Sequence, residues 1–308
     1  MAAKAPRGYG APGRSVACRQ CGAVVAVGPH ETARACDFCG SNQVLEQTDN
    51  RQPLRPESVL PFRVDRRAAK AKFVAWLGGL WFRPSNLRRL ARVSEMTGMY
   101  IPYWTFDAGV ESEWTAHAGY FYYVTETYTA YEGGKAVARQ RVVQHTRWEP
   151  AWGRRRDSYD DVLVCGSRGL PPKSTERLEP FDTRALMPYE PSYLAGFRAE
   201  EYSVELNEAW QRAVTRIESS QRERCSADVP GDTQRNLHVQ NRFGNETFKH
   251  VLLPIWISVY RYQDRPFQFL VNGQTGEVTG QAPYSAVKIA FFCLALAALV
   301  LLVALSAR

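Results

Sequence analysis

The chain has 308 residues and a formal net charge of +8 at pH 7, from 39 Lys and Arg residues against 31 Asp and Glu residues. Hydrophobic residues make up 45% of the chain and aromatic residues 12%, which excludes a chain that is disordered throughout. This length accommodates one large domain or two modest ones. Residues 1–14 are rich in Gly, Pro and Ala and have no apolar h-region, so we expect a flexible arm there and no signal peptide.

Residues 15–50 contain two Cys-x-x-Cys pairs, and each pair is followed by a glycine. The pairs are Cys18 with Cys21 and Cys36 with Cys39, and the glycines are Gly22 and Gly40. A Cys-x-x-Cys turn points both sulfurs to one side of a tight loop, and glycine supplies the positive φ that such a loop needs. Two facing turns make a tetrahedral set of four thiolates, the geometry that structural Zn²⁺ accepts. We therefore predict a zinc ribbon at 15–50, with short strands at 24–27 and 42–45.

Other interpretations of these cysteines fit less well. Two disulfides would suit a small secreted domain, which the start of the chain does not indicate. A thioredoxin-like redox pair would occur once, at a strand-to-helix junction. An iron–sulfur cluster stays open, although the spacing matches neither of the common ferredoxin runs. His30 lies between the pairs as an alternative ligand, and we expect it to be a solvated loop residue.

Residues 51–100 form a basic segment, with eleven Arg and Lys residues against three acidic ones. The ribbon carries a charge of −2 before any metal binds, and the rest of the chain after residue 100 is nearly neutral. We predict one helix that is capped by Asp65 and has Phe73 and Leu77 on its apolar face, and a second helix at 86–96. These helices either pack on the sheet or rest on anionic lipid. The acidic ribbon is a poor nucleic-acid surface, because phosphate neutralisation supplies most of such binding.

Residues 101–285 are predicted to form an antiparallel α+β domain. From Tyr100 to about Gly166 the residues alternate in the two-residue pattern of strands and are dense in Tyr, Trp, Thr and Val. The turn at 132–135 predicts a long hairpin, and the segment at 157–167 predicts a further strand of an antiparallel meander. Helices are expected at 174–187 and at 203–225, the latter capped by Ser203. Strands are then expected at 236–243, 247–262, 266–273 and 277–280. The predicted fold class is α+β, with a mainly antiparallel sheet.

Residues 286–306 are predicted to form a single C-terminal transmembrane helix, because Ile289 to Leu305 are all apolar. Lys288 and the basic residues before it outnumber Arg308 after it, so the positive-inside rule places the N-terminal bulk in the cytoplasm. Zinc thiolates also favour a reducing compartment. We therefore expect a tail-anchored protein in contact with the lipid bilayer.

We find no catalytic motif in the sequence. There is no Gly-x-x-x-x-Gly-Lys-Ser/Thr phosphate loop, no Gly-x-Ser-x-Gly elbow and no His-Glu-x-x-His. The adjacent acidic residues at 160–161 and 200–201 point to different faces of a strand or helix and make no acid/base pair by themselves. The arginines at 154–156 are either an anion patch or a solvated strand edge. We expect no enzyme activity and no small-molecule substrate.

Several stretches together resemble an uncharacterised family of bacterial membrane proteins with an N-terminal zinc ribbon of the transcription factor IIB type. Besides the cysteine pairs, the stretches are VLPF at 59–62, WFRP at 81–84, YIPYWTFD at 100–107, NGQTGEVTG at 272–280 and PYS at 283–285. The resemblance covers nearly the whole chain and implies metal ligation by the four cysteines of the ribbon. Members are sometimes labelled as similar to a primosomal replication-restart helicase. This chain has no phosphate loop, so that label does not imply ATP-driven unwinding here.

Two functions from different classes follow from these observations. The first is a non-enzymatic adaptor that is tethered to the membrane and binds an unknown protein partner on the cytoplasmic face. The second is a membrane-attached nucleic-acid-binding factor that uses the basic segment 51–100. A helicase-like enzyme is a more distant third.

Overall fold

A computed structural model describes residues 8–9, 14–27, 35–47, 53–87, 95–133, 135–263 and 265–306. Its fold is α+β and dominated by a sheet, as predicted, with a cysteine cluster near the N-terminus and one apolar C-terminal helix. Most of the predicted arm at 1–14, the alternative ligand His30 and most of the predicted second helix at 86–96 lie outside the described residues.

Three short strands form the N-terminal ribbon: β1 (Arg14–Cys18), β2 (Val24–Val27) and β3 (Val44–Gln47). The strand at 24–27 is confirmed, while the second predicted strand lies two residues later than expected. Strand β1 was not predicted. It pairs antiparallel with both β2 and β3, so it is the middle strand of the ribbon.

The basic segment continues with β4 (Ser58–Val59) and helix α1 (Arg66–Gly79). The predicted cap is confirmed, because the Asp65 carboxylate accepts a hydrogen bond from the backbone N–H of Ala68 at 2.7 Å. The helix ends at its glycine pair. Its buried face packs on β10 and β9, with the ring of Phe73 stacked on that of Phe269. Helix α1 therefore covers the sheet, which is one of the two placements considered for it.

The predicted hairpin is confirmed, with β5 (Thr97–Glu132) and β6 (Lys135–Cys165) on either side of the turn. The further strand expected at 157–167 is wrong as a separate element, because β6 runs on through Cys165. Within it Asp161 has a φ of 50°, so the strand absorbs a local left-handed residue without ending.

The helix predicted at 174–187 is shorter than expected. Helix α2 (Pro172–Leu178) ends ahead of the Glu179–Pro180 bond, because a residue before proline avoids the helical region. A 3₁₀ turn (Thr183–Ala185), β7 (Met187–Pro188), a second 3₁₀ turn (Pro191–Leu194) and β8 (Arg198–Glu201) follow.

Helix α3 (Leu206–Asp228) begins three residues later than predicted. Ser203 does not cap it, since its hydroxyl accepts a hydrogen bond from the backbone N–H of Arg168 at 2.8 Å. The strands predicted at 236–243 and 247–262 are one strand, β9 (Thr233–Tyr262). Asn245 has a φ of 56° inside β9, and asparagine tolerates this conformation well enough for the strand to continue past the predicted break.

The last elements are β10 (Arg265–Asn272), β11 (Val278–Gly280) and α4 (Ala286–Ser306). Helix α4 coincides with the predicted 286–306. Among the described residues it is the one helix long and apolar enough to span a membrane, and none of it is buried in the protein.

The described strands join in the order β11-β10-β9-β5-β8-β2-β1-β3, with β6 paired to β5 and with β4 paired to β7 and β9. Most pairs are antiparallel, and β5–β8 and β4–β9 are parallel. Strand β2 pairs with β8 through Val25 opposite Glu200, so the ribbon continues the main sheet.

The chain divides into two compact units. Unit 1 lies within Met1–Thr105, Leu163–Ala209 and Lys249–Arg308, and unit 2 within Phe106–Val162 and Trp210–Phe248. The main core of unit 1 contains Phe38 of the ribbon together with Ile101 and Leu253. One core of unit 2 places Ile217 of α3 against Ala108 and Val110.

In unit 2, the three arginines at 154–156 are all ion-paired and form no free anion patch. Arg154 pairs with Glu113 at 3.1 Å and Arg156 with Glu111 at 2.5 Å. Arg155 binds the largely buried carboxylate of Asp157 at 2.6 Å, which Gln221 and Arg224 also contact. The hydrogen bond from Arg155 is the main cause that holds the pKa of Asp157 well below its usual range.

Candidate metal centre

The two Cys-x-x-Cys-Gly segments fold into turns of the same geometry. The backbone N–H of Gly22 donates to the carbonyl oxygen of Cys18 at 2.9 Å, and that of Gly40 donates to Cys36 at 2.8 Å. The two glycines have φ values of +75° and +70°. Both turns therefore need the left-handed backbone that glycine adopts without steric cost, as the sequence predicts.

A second hydrogen bond closes each turn from its other side. The N–H of Cys18 donates to the carbonyl oxygen of Ala23 at 2.9 Å, and the N–H of Cys36 donates to Ser41 at 2.8 Å. The N–H of Phe38 also points at the Cys36 sulfur, 3.4 Å away. Such donors stabilise a thiolate, which is the form that binds metal.

The four predicted cysteine ligands come together as one cluster, and their sulfurs all lie within 4.8 Å of one another. The nearest sulfurs belong to opposite turns, with 3.6 Å from Cys18 to Cys39 and 3.6 Å from Cys21 to Cys36. These separations are far above the ~2.05 Å of a disulfide bond. A tetrahedral Zn²⁺ with Zn–S bonds of about 2.3 Å would separate its sulfurs by about 3.8 Å. The four cysteines could therefore hold a metal ion with little movement.

Hydrogen bonds between the thiols and burial give the cysteines of the cluster unequal pKa values. The hydrogen bond from the Cys21 thiol, more than any other cause, lowers the pKa of Cys36 to about 5. The same bond raises the pKa of Cys21. Burial raises the pKa of Cys39 to about 11. A divalent cation at the centre would compensate the thiolate charge that burial opposes.

Contacts within unit 1 hold the second turn against the sheet. The side chain of Phe38 is only 1% exposed, and its carbonyl oxygen accepts a hydrogen bond from the Gln268 amide at 2.6 Å. Arg198 of β8 pairs with Asp37 at 2.5 Å. The positions of the sulfurs thus depend on β8 and β10 as well as on the turns themselves.

Beside Cys18 and Cys36, the two buried cysteines of the cluster, the protein leaves almost no free space. The adjoining cavity, which Cys18, Ala23, Cys36 and Arg198 help to line, has a volume of about 10 Å³. That is room for at most one water molecule, since a water needs about 10–15 Å³. A site of this kind can bind a metal through four protein ligands and has no open position for a substrate.

The sequence presents Glu200 only as one of two adjacent acidic residues and does not predict its burial near the cluster. Glu200 is fully buried on β8, and its Oε1 accepts a hydrogen bond from the Ser167 hydroxyl at 2.7 Å. Burial raises its pKa well above the usual value, and the negative charge of Cys36 adds to the effect. The adjacent Glu201 accepts a hydrogen bond from Ser15, so the two neighbours do face opposite ways. Only the pairing of β8 with β2 reveals which of them is buried.

A second acidic cluster lies in unit 2. The carboxylates of Asp107, Asp160 and Asp161 approach within 4.8 Å of one another. Asp107 is already engaged, because it accepts hydrogen bonds from the backbone N–H of Asp161 and from the Thr247 hydroxyl, both at 2.8 Å. These residues serve the local structure of β5, β6 and β9.

Comparison with known proteins gives one distant relative. The chain is 29% identical over 240 residues to a protein of Bacillus subtilis (strain 168) named "Uncharacterized protein YdjG". The match covers 77% of this chain and 66% of that protein, so the chain spans slightly less than two thirds of the relative's length. No protein-family profile and no solved structure matches the chain. The similarity links this chain to a bacterial relative and assigns no activity to either.

Proposed function

We propose that this chain is a non-enzymatic adaptor that is attached to a membrane by α4 and binds a protein partner on the cytoplasmic face. The observation that carries the proposal is the closed cysteine cluster. Four sulfurs surround the centre, and the cavity beside it holds about 10 Å³. A metal held in this way shapes a surface and does not meet a substrate.

The proposed ion is structural Zn²⁺, held by the four predicted ligands, Cys18, Cys21, Cys36 and Cys39. Bound there, Zn²⁺ would cross-link the two turns and neutralise part of their thiolate charge. The chain's own residues do the rest. Gly22 and Gly40 allow the turns, and Phe38 anchors the second turn in the core of unit 1.

The edge of the ribbon supports a protein partner. Strand β3 is the terminal strand of the described sheet, so one side of it has no neighbouring strand among the described residues. Leu45 on this strand is 46% exposed. An open edge with an exposed apolar side chain can accept an added strand from another protein.

The length and the flanks of α4 support the membrane attachment. Its 21 residues span about 31 Å, close to the ~30 Å thickness of a bilayer hydrocarbon core. Lys288 near its start, together with thiolates that require a reducing compartment, supports a cytoplasmic position for the preceding residues.

Quantitative affinity capture of the full chain from detergent extracts tests the adaptor. We expect Cys18→Ser/Cys21→Ser and Leu45→Lys each to lose the same partners, whereas Cys293→Ser on α4 retains them. Leu45→Lys leaves the metal ligands intact, so it separates loss of the edge from loss of the folded ribbon. Identical partners for wild type and all variants would contradict the proposal.

A second candidate is nucleic-acid binding, and the solvent side of α1 favours it. The helix contains no acidic residue, and Arg66, Arg67 and Lys72 are exposed along it. Binding of DNA or RNA through these cations would weaken steeply with salt. We would then expect Arg67→Gln/Lys72→Gln to reduce binding of duplex or single strands in a salt-dependent way. If wild type binds neither at low salt, this candidate fails.

A further inference from the structure

A groove of about 700 Å³ lies in unit 1 between the loop after α1 and the first half of α4. Its volume is within the ~300–1,000 Å³ of typical small-molecule sites. Its walls are mainly apolar, and its two basic residues lie near the start of α4: Lys288 is in the first turn of the helix, and Arg83 contacts Ala282 and Tyr284 just before it. Its lining includes Trp81, Arg83, Lys288, Phe291, Phe292 and Ala295.

Specific contacts hold the loop against the start of α4. The backbone N–H of Ser285 donates to the carbonyl oxygen of Phe82 at 2.8 Å. The rings of Phe82 and Phe292 meet edge to face, with centroids 5.3 Å apart. Arg83 donates to the carbonyl oxygen of Ala282, and its guanidinium lies 3.7 Å from the centroid of the Tyr284 ring. The groove is therefore a built feature of the fold.

The two basic residues of the groove have no acidic partner. No carboxylate is among its described lining residues, and in the described part of the chain neither Arg83 nor Lys288 forms an ion pair. Both side chains are half-buried, so their charges are less screened than those of fully exposed residues. The charged end of the groove is thus complementary to an anion.

The apolar residues extend from this charged end along α4. Ala295 is seven residues beyond Lys288, which is about 10 Å along the helix axis. Phe291 is 74% exposed and Trp81 is 77% exposed, so the described protein leaves both rings uncovered. If α4 enters a bilayer, Lys288 lies at the headgroup level, where Lys and Trp side chains are favoured, and Ala295 lies in the hydrocarbon.

We propose that this groove binds one anionic phospholipid of the bilayer. Its phosphate lies between Arg83 and Lys288, and an acyl chain runs along Phe291, Phe292 and Ala295. This ligand fits both ends of the groove. The basic end is complementary to a phosphate, and the other end is continuous with the apolar surface of α4, along which an acyl chain can lie. The proposal rests on the membrane attachment proposed above, and it adds a lipid preference that attachment alone does not require.

Native mass spectrometry of the detergent-solubilised full chain tests the site, with phosphatidylglycerol and phosphatidylcholine of identical acyl chains as probes. We expect wild type to bind one phosphatidylglycerol at least tenfold more tightly than phosphatidylcholine. Arg83→Gln/Lys288→Gln should weaken phosphatidylglycerol binding about thirtyfold, because each basic residue near an anionic headgroup contributes roughly a fivefold factor. Lys288→Gln alone, at a position outside the loop contacts, should weaken it about fivefold.

Matched variants distinguish lipid binding in the groove from nonspecific effects of positive charge and apolar surface elsewhere. Lys173→Gln/Arg222→Gln removes the same charge from exposed sites outside the groove and should leave lipid binding unchanged. Phe291→Ala should weaken both lipids severalfold, whereas Leu299→Ala, farther along α4, should not. Equal affinity for the two lipids, equal losses in the control variants, or displacement of the lipid by millimolar inorganic phosphate would overturn the proposal.

Flotation of the full chain with phosphatidylcholine vesicles tests the membrane attachment separately. A chain that does not float contradicts the attachment. A chain that floats but shows no phosphatidylglycerol preference contradicts only the groove. Whether or not the chain floats, the lipid preference measured by native mass spectrometry tests the groove.

Discussion

Replacing Cys21 by serine tests the metal centre most directly. The observed sulfur separations of 3.6 Å are close to the ~3.8 Å that a zinc tetrahedron requires, so binding needs little rearrangement of the turns. Structural zinc sites bind with apparent free energies of about 10–16 kcal/mol at pH 7, which correspond to dissociation constants of about 10⁻⁷ to 10⁻¹² M. We expect this range for the full chain, with one zinc per chain.

Serine keeps nearly the same volume but is not deprotonated near neutral pH, so Cys21→Ser leaves three thiolates. Loss of a residue that merely orients a ligand costs about 10–100-fold in metal affinity. Loss of a ligand should exceed that, so we expect zinc affinity to fall by more than about a hundredfold. Cys293→Ser, on the exposed surface of α4, should leave the affinity unchanged.

Competition with a chromophoric chelator measures the affinity, and hydrogen exchange measures the structural consequence. The amides of Gly22 and Gly40 close the two turns at 2.9 and 2.8 Å, so they should lose protection in the variant while β10 keeps its own. Two results would refute the reasoning: a purified chain without stoichiometric zinc, or turn amides that stay protected after zinc is removed. A visible absorption band from iron would favour the iron–sulfur alternative.

The remaining predictions concern a turn glycine, a buried histidine and a buried carboxylate. Gly22→Ala should lower zinc affinity about tenfold, since a side chain at its φ of +75° costs roughly 1–2 kcal/mol. Gly79 has open space around it, so Gly79→Ala should stabilise α1 by about 0.5–1 kcal/mol in thermal unfolding. His250 of β9 is buried, and this burial lowers its pKa to about 4, so between pH 6.5 and 4 the unfolded chain binds more protons than the folded one. The contribution of His250 to the free energy of unfolding should therefore be fully present above pH 6.5, and up to about 3 kcal/mol of it should be lost as the pH falls toward 4. Denaturant titrations of His250→Asn should show no such dependence on pH. Asp157→Asn should destabilise unit 2 by about 1–3 kcal/mol, because Arg155 and Arg224 lose the carboxylate that they share. The control Glu126→Gln, which removes the exposed pair with Arg141, should cost under about 0.5 kcal/mol. Hydrogen exchange of the amides at 106–162 measures both.

Turn and cap chemistry was predictable from sequence at several positions where it depends on a few adjacent residues, although the predicted Ser203 cap is wrong. The Asp65 cap, the hairpin turn at 132–135 and the glycines after the cysteine pairs are all confirmed. Strand boundaries were less predictable. A glycine and an asparagine at 244–245 indicate a break, yet β9 continues, because pairing with neighbouring strands holds the backbone on both sides of its left-handed residue.

Burial within the site could not be predicted in the same way. The sequence presents Glu200 and Glu201 as an equivalent acidic pair, and only the register of β8 against β2 buries the first and leaves the second beside Ser15. The free-energy cost of a buried carboxyl depends on these distant neighbours, since burial is what raises its pKa.

The sequence by itself identified the four cysteines that form one cluster and the apolar helix α4, because both depend on spacing or composition within a short stretch of chain. Only the tertiary structure decided that the ribbon extends the main sheet and that Arg83 and Lys288 line the same groove. Val25 of the ribbon and its partner Glu200 are about 175 residues apart in the chain, and Arg83 and Lys288 are about 205 apart. Local periodicity carries no information about which distant segments meet, since those contacts follow from how the whole set of apolar faces packs.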